Sequence, residues 1–162
     1  VRLAGPEAAA LIEAVASYAP DARDARDAPQ PRNLRESVRL SAEGRARTCY
    51  DHLAGQLGVA LADAMIARGL VAADSGLAVT AEGRAWLGDT LGYERPPGSR
   101  RPLVRACLDW TERRPHLAGA LGAALCAAAL DRGWVRRVGS GRAVKVTPQG
   151  AEAFRKQLGA EV

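Results

Sequence analysis

Aromatic side chains are scarce in this chain, with one Phe, three Tyr and three Trp among 162 residues. A core so poor in rings cannot rest on aromatic stacking. The 48% hydrophobic content, much of it Ala, points instead to helices packed closely through small side chains. Cysteine is limited to three, an odd number at wide spacing, which argues against a disulfide framework and suits a reducing compartment. No apolar run approaches a membrane span and the opening residues carry no signal-peptide pattern, so a cytoplasmic protein with no membrane partner is expected. The formal charge of +5 allows a polyanion partner without requiring one. The length suits one domain, or two small ones on a shared core.

What is present is a repeat. His52-Leu53-Ala54-Gly55-Gln56-Leu57-Gly58 returns as His116-Leu117-Ala118-Gly119-Ala120-Leu121-Gly122. Ahead of each copy stands Arg-x-Cys-apolar-Asp, as Arg47 to Asp51 and as Arg105 to Asp109. Internal repeats decide architecture before any local pattern does.

Taken in order, residues 1–4 read as the end of a strand that Gly5-Pro6 breaks. Leu11, Ile12, Val15 and Ala19 then keep helical spacing over residues 7–18. Residues 21–32 lack periodicity and hold Pro29 and Pro31, the pattern of an exposed linker or mobile loop. A helical pattern resumes at Asn33 and runs toward Cys49. The first repeat helix carries Leu53, Leu57, Leu61 and Met65 and ends at Arg68-Gly69. A hairpin follows, with Leu70-Val71 and Leu77 to Thr80 on either side of Asp74-Ser75-Gly76, and then a helix over residues 82–91. After a basic connector, residues 103–110 are ambiguous between strand and helix, with strand favoured. The second copy then repeats the plan: a helix with Leu117, Leu121, Leu125 and Leu130, a hairpin around Gly139-Ser140-Gly141, and a last helix with Phe154 and Leu158. The expected fold class is α+β, mainly α. Residues 1–32 form a linker helix and loop, and residues 33–94 and 95–162 form two pseudo-symmetric winged-helix-like repeats packed through Gly/Ala-rich helices.

Glycine inside a helix costs roughly 1 kcal/mol relative to Ala. Gly55, Gly58, Gly119 and Gly122 therefore imply a compensating contact, and a face-to-face crossing of the two repeat helices is expected. The other reading puts Gly55 and Gly119 at the helix starts.

The chain's only two His residues and two of its three Cys fall at the repeated places. Cys49, His52, Cys107 and His116 are candidate ligands for a transition metal such as zinc, with Asp51, Asp109 and Trp110 beside them. Cys49-x2-His52 reads as ligand spacing on one helical turn. Cys107 and His116 need a strand-to-helix bend. The competing readings are structural, with buried thiols as small hydrophobes and each His bracing its helix, or a pocket for a small organic ligand, or thiol redox chemistry. Cys49 at a helix N-terminus near Arg47 would be a candidate reactive thiol. No nucleophile elbow or oxyanion signature accompanies it, so a Cys/His-dependent enzyme is the least favoured reading. Trp86 and Trp134 are assigned to the core, and Trp110 to the core or to a pocket wall. Arg136, Arg137, Arg142 and Lys145 on the second wing suit phosphate contacts, or a solvated face.

The segments Arg47 to Gly55 and Cys107 to Gly119, with the opening Val1-Arg2-Leu3-Ala4-Gly5-Pro6-Glu7, resemble the C-terminal region of long ArsR-family winged helix-turn-helix transcriptional regulators. The resemblance implies a DNA-binding domain preceding Val1, a homodimer, and a small-molecule or metal effector that alters operator affinity. The family's Cys-Val-Cys metal motif is absent here, so metal sensing does not follow from the resemblance. The function expected is that of an effector-sensing and dimerisation region, with ligand binding between the repeats modulating DNA binding. The alternative is direct DNA binding through the Arg-rich second wing.

Overall fold

The computed structural model describes residues 5–17, 37–38, 40–74 and 76–162. The strand expected over residues 1–4, the loop expected over residues 21–32, the start of the helix expected at Asn33, and Ser75 of the first hairpin lie outside them. The first helix, α1, spans Pro6–Ser17 and lies against β5 (Arg105–Leu108). Proline at its first position fits the missing N–H there.

Residues 37, 38 and 40 are helical, in line with the expected helix, but it does not run on to Cys49; a separate single turn follows. It is α2, Ala42–Arg45, with the Ser41 hydroxyl accepting from the Gly44 N–H at 3.0 Å. The chain then extends as β1 (Arg47–Cys49), turns through Tyr50 and Asp51, and returns as β2 (His52–Ala54). Tyr50 makes this turn at φ 57, a conformation rare for a bulky residue. Tertiary pairing overrides the helical spacing. β1 bonds β2 on one edge, and on the other the Thr48 N–H donates to Arg142 O at 2.9 Å while Ala46 O accepts from Val144 N–H at 3.0 Å.

The repeat helix α3 begins only at Gly55 and runs Gly55–Ala67. The hairpin β3 (Val71–Ala72) and β4 (Ala78–Val79) and the helix α4 (Ala81–Leu91) follow as expected. In the second copy β5 pairs with β6 (Pro115–Ala118), leading into α5 (Gly119–Asp131). Next come β7 (Val135–Arg137), β8 (Val144–Val146) and α6 (Pro148–Leu158). The strand reading of residues 103–110 thus holds over Arg105–Leu108. Among the described residues the fold is α+β, helices with two-stranded antiparallel sheets.

The repeated glycines do different work from a helix crossing. Gly55 and Gly119 are junctions, at φ 76 and φ 84, where an extended strand turns into a helix. Gly58 and Gly122 admit the strand rather than a facing helix. A Cβ at Gly58 would stand 2.5 Å from Leu53 O and 3.4 Å from the His116 Cβ, and one at Gly122 3.2 Å from the His52 Cβ. Each repeat helix accordingly packs on the other copy's strand, α3 on β6 and α5 on β2. Leu53, Leu57, Leu61 and Met65 meet Leu117, Leu121, Leu125 and Phe154 in a single core. Trp134 is buried there edge-on to Phe154, and Trp86 packs at its margin. Both tryptophans stand where the core reading put them.

Candidate metal centre

Two hairpin ends meet in the interior. In the first, Cys49 and His52 are cross-strand partners flanking the Tyr50-Asp51 turn; in the second, Cys107 and His116 are cross-strand partners. Neither pair sits on a helical turn, and no strand-to-helix bend is needed. Because successive strand side chains alternate faces, cross-strand partners project to the same side. The exchange of strands between α3 and α5 then turns both pairs toward each other. The donor atoms of Cys49, His52, Cys107 and His116 all lie within 4.8 Å of one another, and all four residues are buried.

His52 Nε2 and His116 Nε2 face each other at 3.1 Å, with the rings tilted by 37°. Their other nitrogens are held by carboxylates. His52 Nδ1 lies 3.3 Å from Asp51 Oδ1, and His116 Nδ1 lies 3.1 Å from Asp109 Oδ2. The second contact is not a straight hydrogen bond, since the ring N–H points off the oxygen. A bare nitrogen lone pair that close to an anionic oxygen would nevertheless be repelled, so the proton belongs on Nδ1 in both rings. That tautomer leaves two Nε2 lone pairs pointing at each other. Either a second proton on one ring, donated from its Nε2 to the other, or a bound cation satisfies that contact.

The carboxylates are themselves anchored. Asp51 Oδ2 pairs with Arg101 at 2.7 Å, near the surface. Asp109 is sealed: Oδ2 accepts from the Gly55 N–H at 2.7 Å and from Arg47 at 3.1 Å, while Oδ1 accepts from the Thr111 N–H and hydroxyl and the Glu112 N–H. These last bonds fold the loop after Asp109 back on itself, which is how an Asp seven residues from His116 reaches its ring. Arg47 and Thr111, both fully buried, are the residues that motif reading passed over. The repeated Arg before each Cys was a signal for the first, and the Asp109-x-Thr111 spacing of a side-chain turn for the second. The Arg47 guanidinium also lies 5.2 Å over the Trp110 ring, so Trp110 borders Arg47 and is only partly buried.

Electrostatics follow from these contacts. Burial pushes both carboxyls upward, but His52 and Arg101 outweigh it at Asp51, and His116, Arg47, Thr111 and the Gly55 N–H outweigh it at Asp109. Both carboxyls stay below the ordinary range. Burial depresses both imidazoles, yet the carboxylates and Cys49 raise them on balance. The Cys49 thiol, beside Cys107 and buried, is pushed up to about 12. Cys49 lies on a strand rather than at a helix N-terminus, and Arg47 is engaged by Asp109, so the setting of a reactive thiolate is missing. Cys126, on α5, stands outside the four-donor group and is raised to about 11, chiefly by burial.

The four donors suit a borderline transition metal. Tetrahedral coordination at ~2.3 Å from sulfur and ~2.05 Å from nitrogen would set the donors roughly 3.3–3.8 Å apart. The present separations need only small side-chain adjustments to reach that spacing. Two histidines oriented by carboxylates are the recurrent support of such sites.

Over 163 residues the chain is 37% identical to the uncharacterized HTH-type transcriptional regulator YdfF of Bacillus subtilis (strain 168), an alignment covering 99% of this chain and 69% of that protein. The chain belongs to the HTH-type transcriptional regulators. No family model matches it, and no solved structure does. Membership speaks for regulation rather than catalysis. Among the described residues of this regulator, no helix is long and apolar enough to cross a membrane. Arg136, Arg137 and Lys145 are exposed on the β7–β8 hairpin, Arg136 opposite Lys145, while Arg142 is half-buried with Glu43 3.8 Å away.

Proposed function

We propose that this chain is the effector-sensing and dimerisation region of an ArsR-like, cytoplasmic transcriptional regulator, and that its effector is a transition-metal cation held by Cys49, His52, Cys107 and His116. The observation that carries the reading is the pair of imidazoles meeting Nε2 to Nε2 beside two thiols, each ring backed by a carboxylate. The two halves, residues 33–94 and 95–162, are read as winged-helix-like repeats about a pseudo-twofold axis, each donating one thiol and one imidazole. A cation bound between them favours the arrangement in which the hairpins meet, by as much as its affinity for the two arrangements differs. In a homodimer that bias would pass to the operator-binding parts. Leu11, Ile12 and Val15, exposed on α1, offer an apolar face for the dimer.

Operator reading is assigned to the portion of the relative that this chain does not match. A recognition helix needs polar side chains aimed at base edges, and α3 and α5 are largely buried and apolar. The direct-binding alternative rests on Arg136, Arg137 and Lys145 on the second wing.

The test is elemental analysis with native mass spectrometry on protein purified without a metal-affinity step. Stoichiometric metal, lost in Cys49→Ser and His116→Ala, is expected, together with metal-dependent operator affinity in a regulator carrying this region. A metal-free mass after incubation with each candidate cation would sink the proposal. Salt-dependent binding of this chain alone to random duplex DNA would favour the second wing as the DNA contact.

A further inference from the structure

We infer that the cation selected by these four side chains is divalent and four-coordinate, of the zinc class, and that it is a sealed staple between the two hairpins with no open coordination position. This rests on the proposal that the cluster holds a metal, and it adds charge, coordination number and accessibility.

Charge comes first. Thiols bind such metals as thiolates, so an occupied site carries two negative charges on Cys49 and Cys107. Among the described residues, the carboxylates that back the two histidines are each met by an arginine. Asp109 is matched by Arg47, both fully buried, and Asp51 by Arg101. The imidazoles bind as neutral ligands. A divalent ion therefore makes the centre neutral, a monovalent ion leaves an uncompensated negative charge, and a trivalent ion leaves a positive one. In an interior where unpaired charge is costly, neutrality decides.

Donor type and number agree. Two sulfurs and two nitrogens, all within 4.8 Å of one another, form a set that tetrahedral zinc prefers. Trivalent arsenic or antimony would call for a third thiolate. The remaining cysteine, Cys126, faces elsewhere on α5 and is not within the four-donor group.

The seal is the third argument. Cys49 and His116 are 0% exposed, His52 2% and Cys107 3%. Ala54 and Ala118 close over the thiols, and the helix backbones at Gly58 and Gly122 stand directly behind the histidines. A catalytic site would keep one position for water; this one offers four protein donors and no approach for a fifth. The metal's effect is therefore mechanical: it joins β1–β2 of one repeat to β5–β6 of the other.

The experiment uses the reduced, metal-free chain under anaerobic conditions, titrated with Co²⁺ and then Zn²⁺, with X-ray absorption on the zinc form. One Co²⁺ per chain is expected, with the intense visible bands of a tetrahedral ion and a near-ultraviolet thiolate charge-transfer band, bleached by one equivalent of Zn²⁺. The zinc shell should contain two sulfurs at ~2.3 Å and two nitrogens at ~2.05 Å. These readouts need no variant and so do not depend on a mutant folding. A pale six-coordinate cobalt complex, a shell lacking either sulfur or either nitrogen, stoichiometric displacement of zinc by arsenite, or a monovalent metal as occupant of the purified chain would overturn the inference while leaving a metal site standing. Failure to bind any cation would remove the site itself.

Discussion

Asp109 Oδ2 accepts a hydrogen bond from the Gly55 N–H at 2.7 Å, so a carboxylate of the second copy caps the first repeat helix of the other. The same oxygen stands 3.1 Å from Arg47 and 3.1 Å from His116 Nδ1. A helix N-terminus favours an anion, a buried guanidinium demands one, and the imidazole is oriented by it. One atom thus ties the helix, the strand and the site together. Asp109→Asn leaves the volume nearly unchanged but removes the anion that Arg47 meets at 3.1 Å in the interior. The expected loss is about 3–5 kcal/mol, measured by urea unfolding of the metal-free chain. A loss under about 1 kcal/mol would mean that Arg47 finds another anion.

The same carboxylate sets an acid limit. Its folded value lies below its ordinary 3.8, so the native state holds the charged form more strongly than the unfolded chain does. The stability this supplies is fully present above about pH 4 and is lost as pH falls toward the folded value. Asp51 acts in the same direction. Unfolding midpoints between pH 6 and pH 2 should therefore fall steeply in the parent chain and less steeply in Asp109→Asn. Parallel curves would count against the assignment.

Gly58 and Gly122 give a prediction whose sign opposes helix propensity. Alanine should gain roughly 1 kcal/mol in a helix interior. Here the added methyl would meet fixed backbone, Leu53 O at Gly58 and Leu117 O at Gly122, with the opposite histidine's Cβ at 3.4 and 3.2 Å. Overpacking of this kind costs typically 1–3 kcal/mol. Both Gly58→Ala and Gly122→Ala should be net destabilising, and both should weaken cobalt binding because the methyl pushes against the ligand-bearing strand. Gly69→Ala, where nothing lies within 4 Å but φ is 69, should lose stability without touching the site.

The grouping of the four candidate donors was legible because repetition marked it. The four donors stood at equivalent places in the two copies, and the structure gathers all four. Their local geometry was not legible. Cys49-x2-His52 has helical spacing, and the hairpin it adopts depends on Tyr50 at positive φ, for which a tyrosine gives no signal. The extended conformation of residues 46–49 is held on one edge by bonds to Arg142 and Val144, almost a hundred residues on, and no local pattern encodes that. The glycines drew attention to close packing but not to its partner, because a missing Cβ admits a strand as readily as a helix. Element boundaries set by capping residues, such as Thr80 and Thr147 bonding the N–H three residues on, were the most readable of all.

The two carboxylates behind the histidines are chemically alike but differently enclosed, and this asymmetry yields the last prediction. Asp51 is 30% exposed and its partner Arg101 is 39% exposed, whereas Asp109 and Arg47 are both 0%. Water can replace Arg101 beside Asp51, and an exposed pair is worth at most about 1 kcal/mol. Asp51→Asn should therefore leave the unfolding free energy within about 1 kcal/mol of the parent and weaken metal binding by roughly tenfold, the low end for removing an orienting carboxylate. Asp109→Asn should do both kinds of damage, losing stability without metal and roughly a hundredfold in metal affinity. Competition with a chelator of known affinity measures the second quantity, and denaturation of the metal-free chain the first. Equal effects from the two substitutions would mean that burial does not govern how these carboxylates work. A large loss of stability in Asp51→Asn alone would invert the roles given to the two halves of the site.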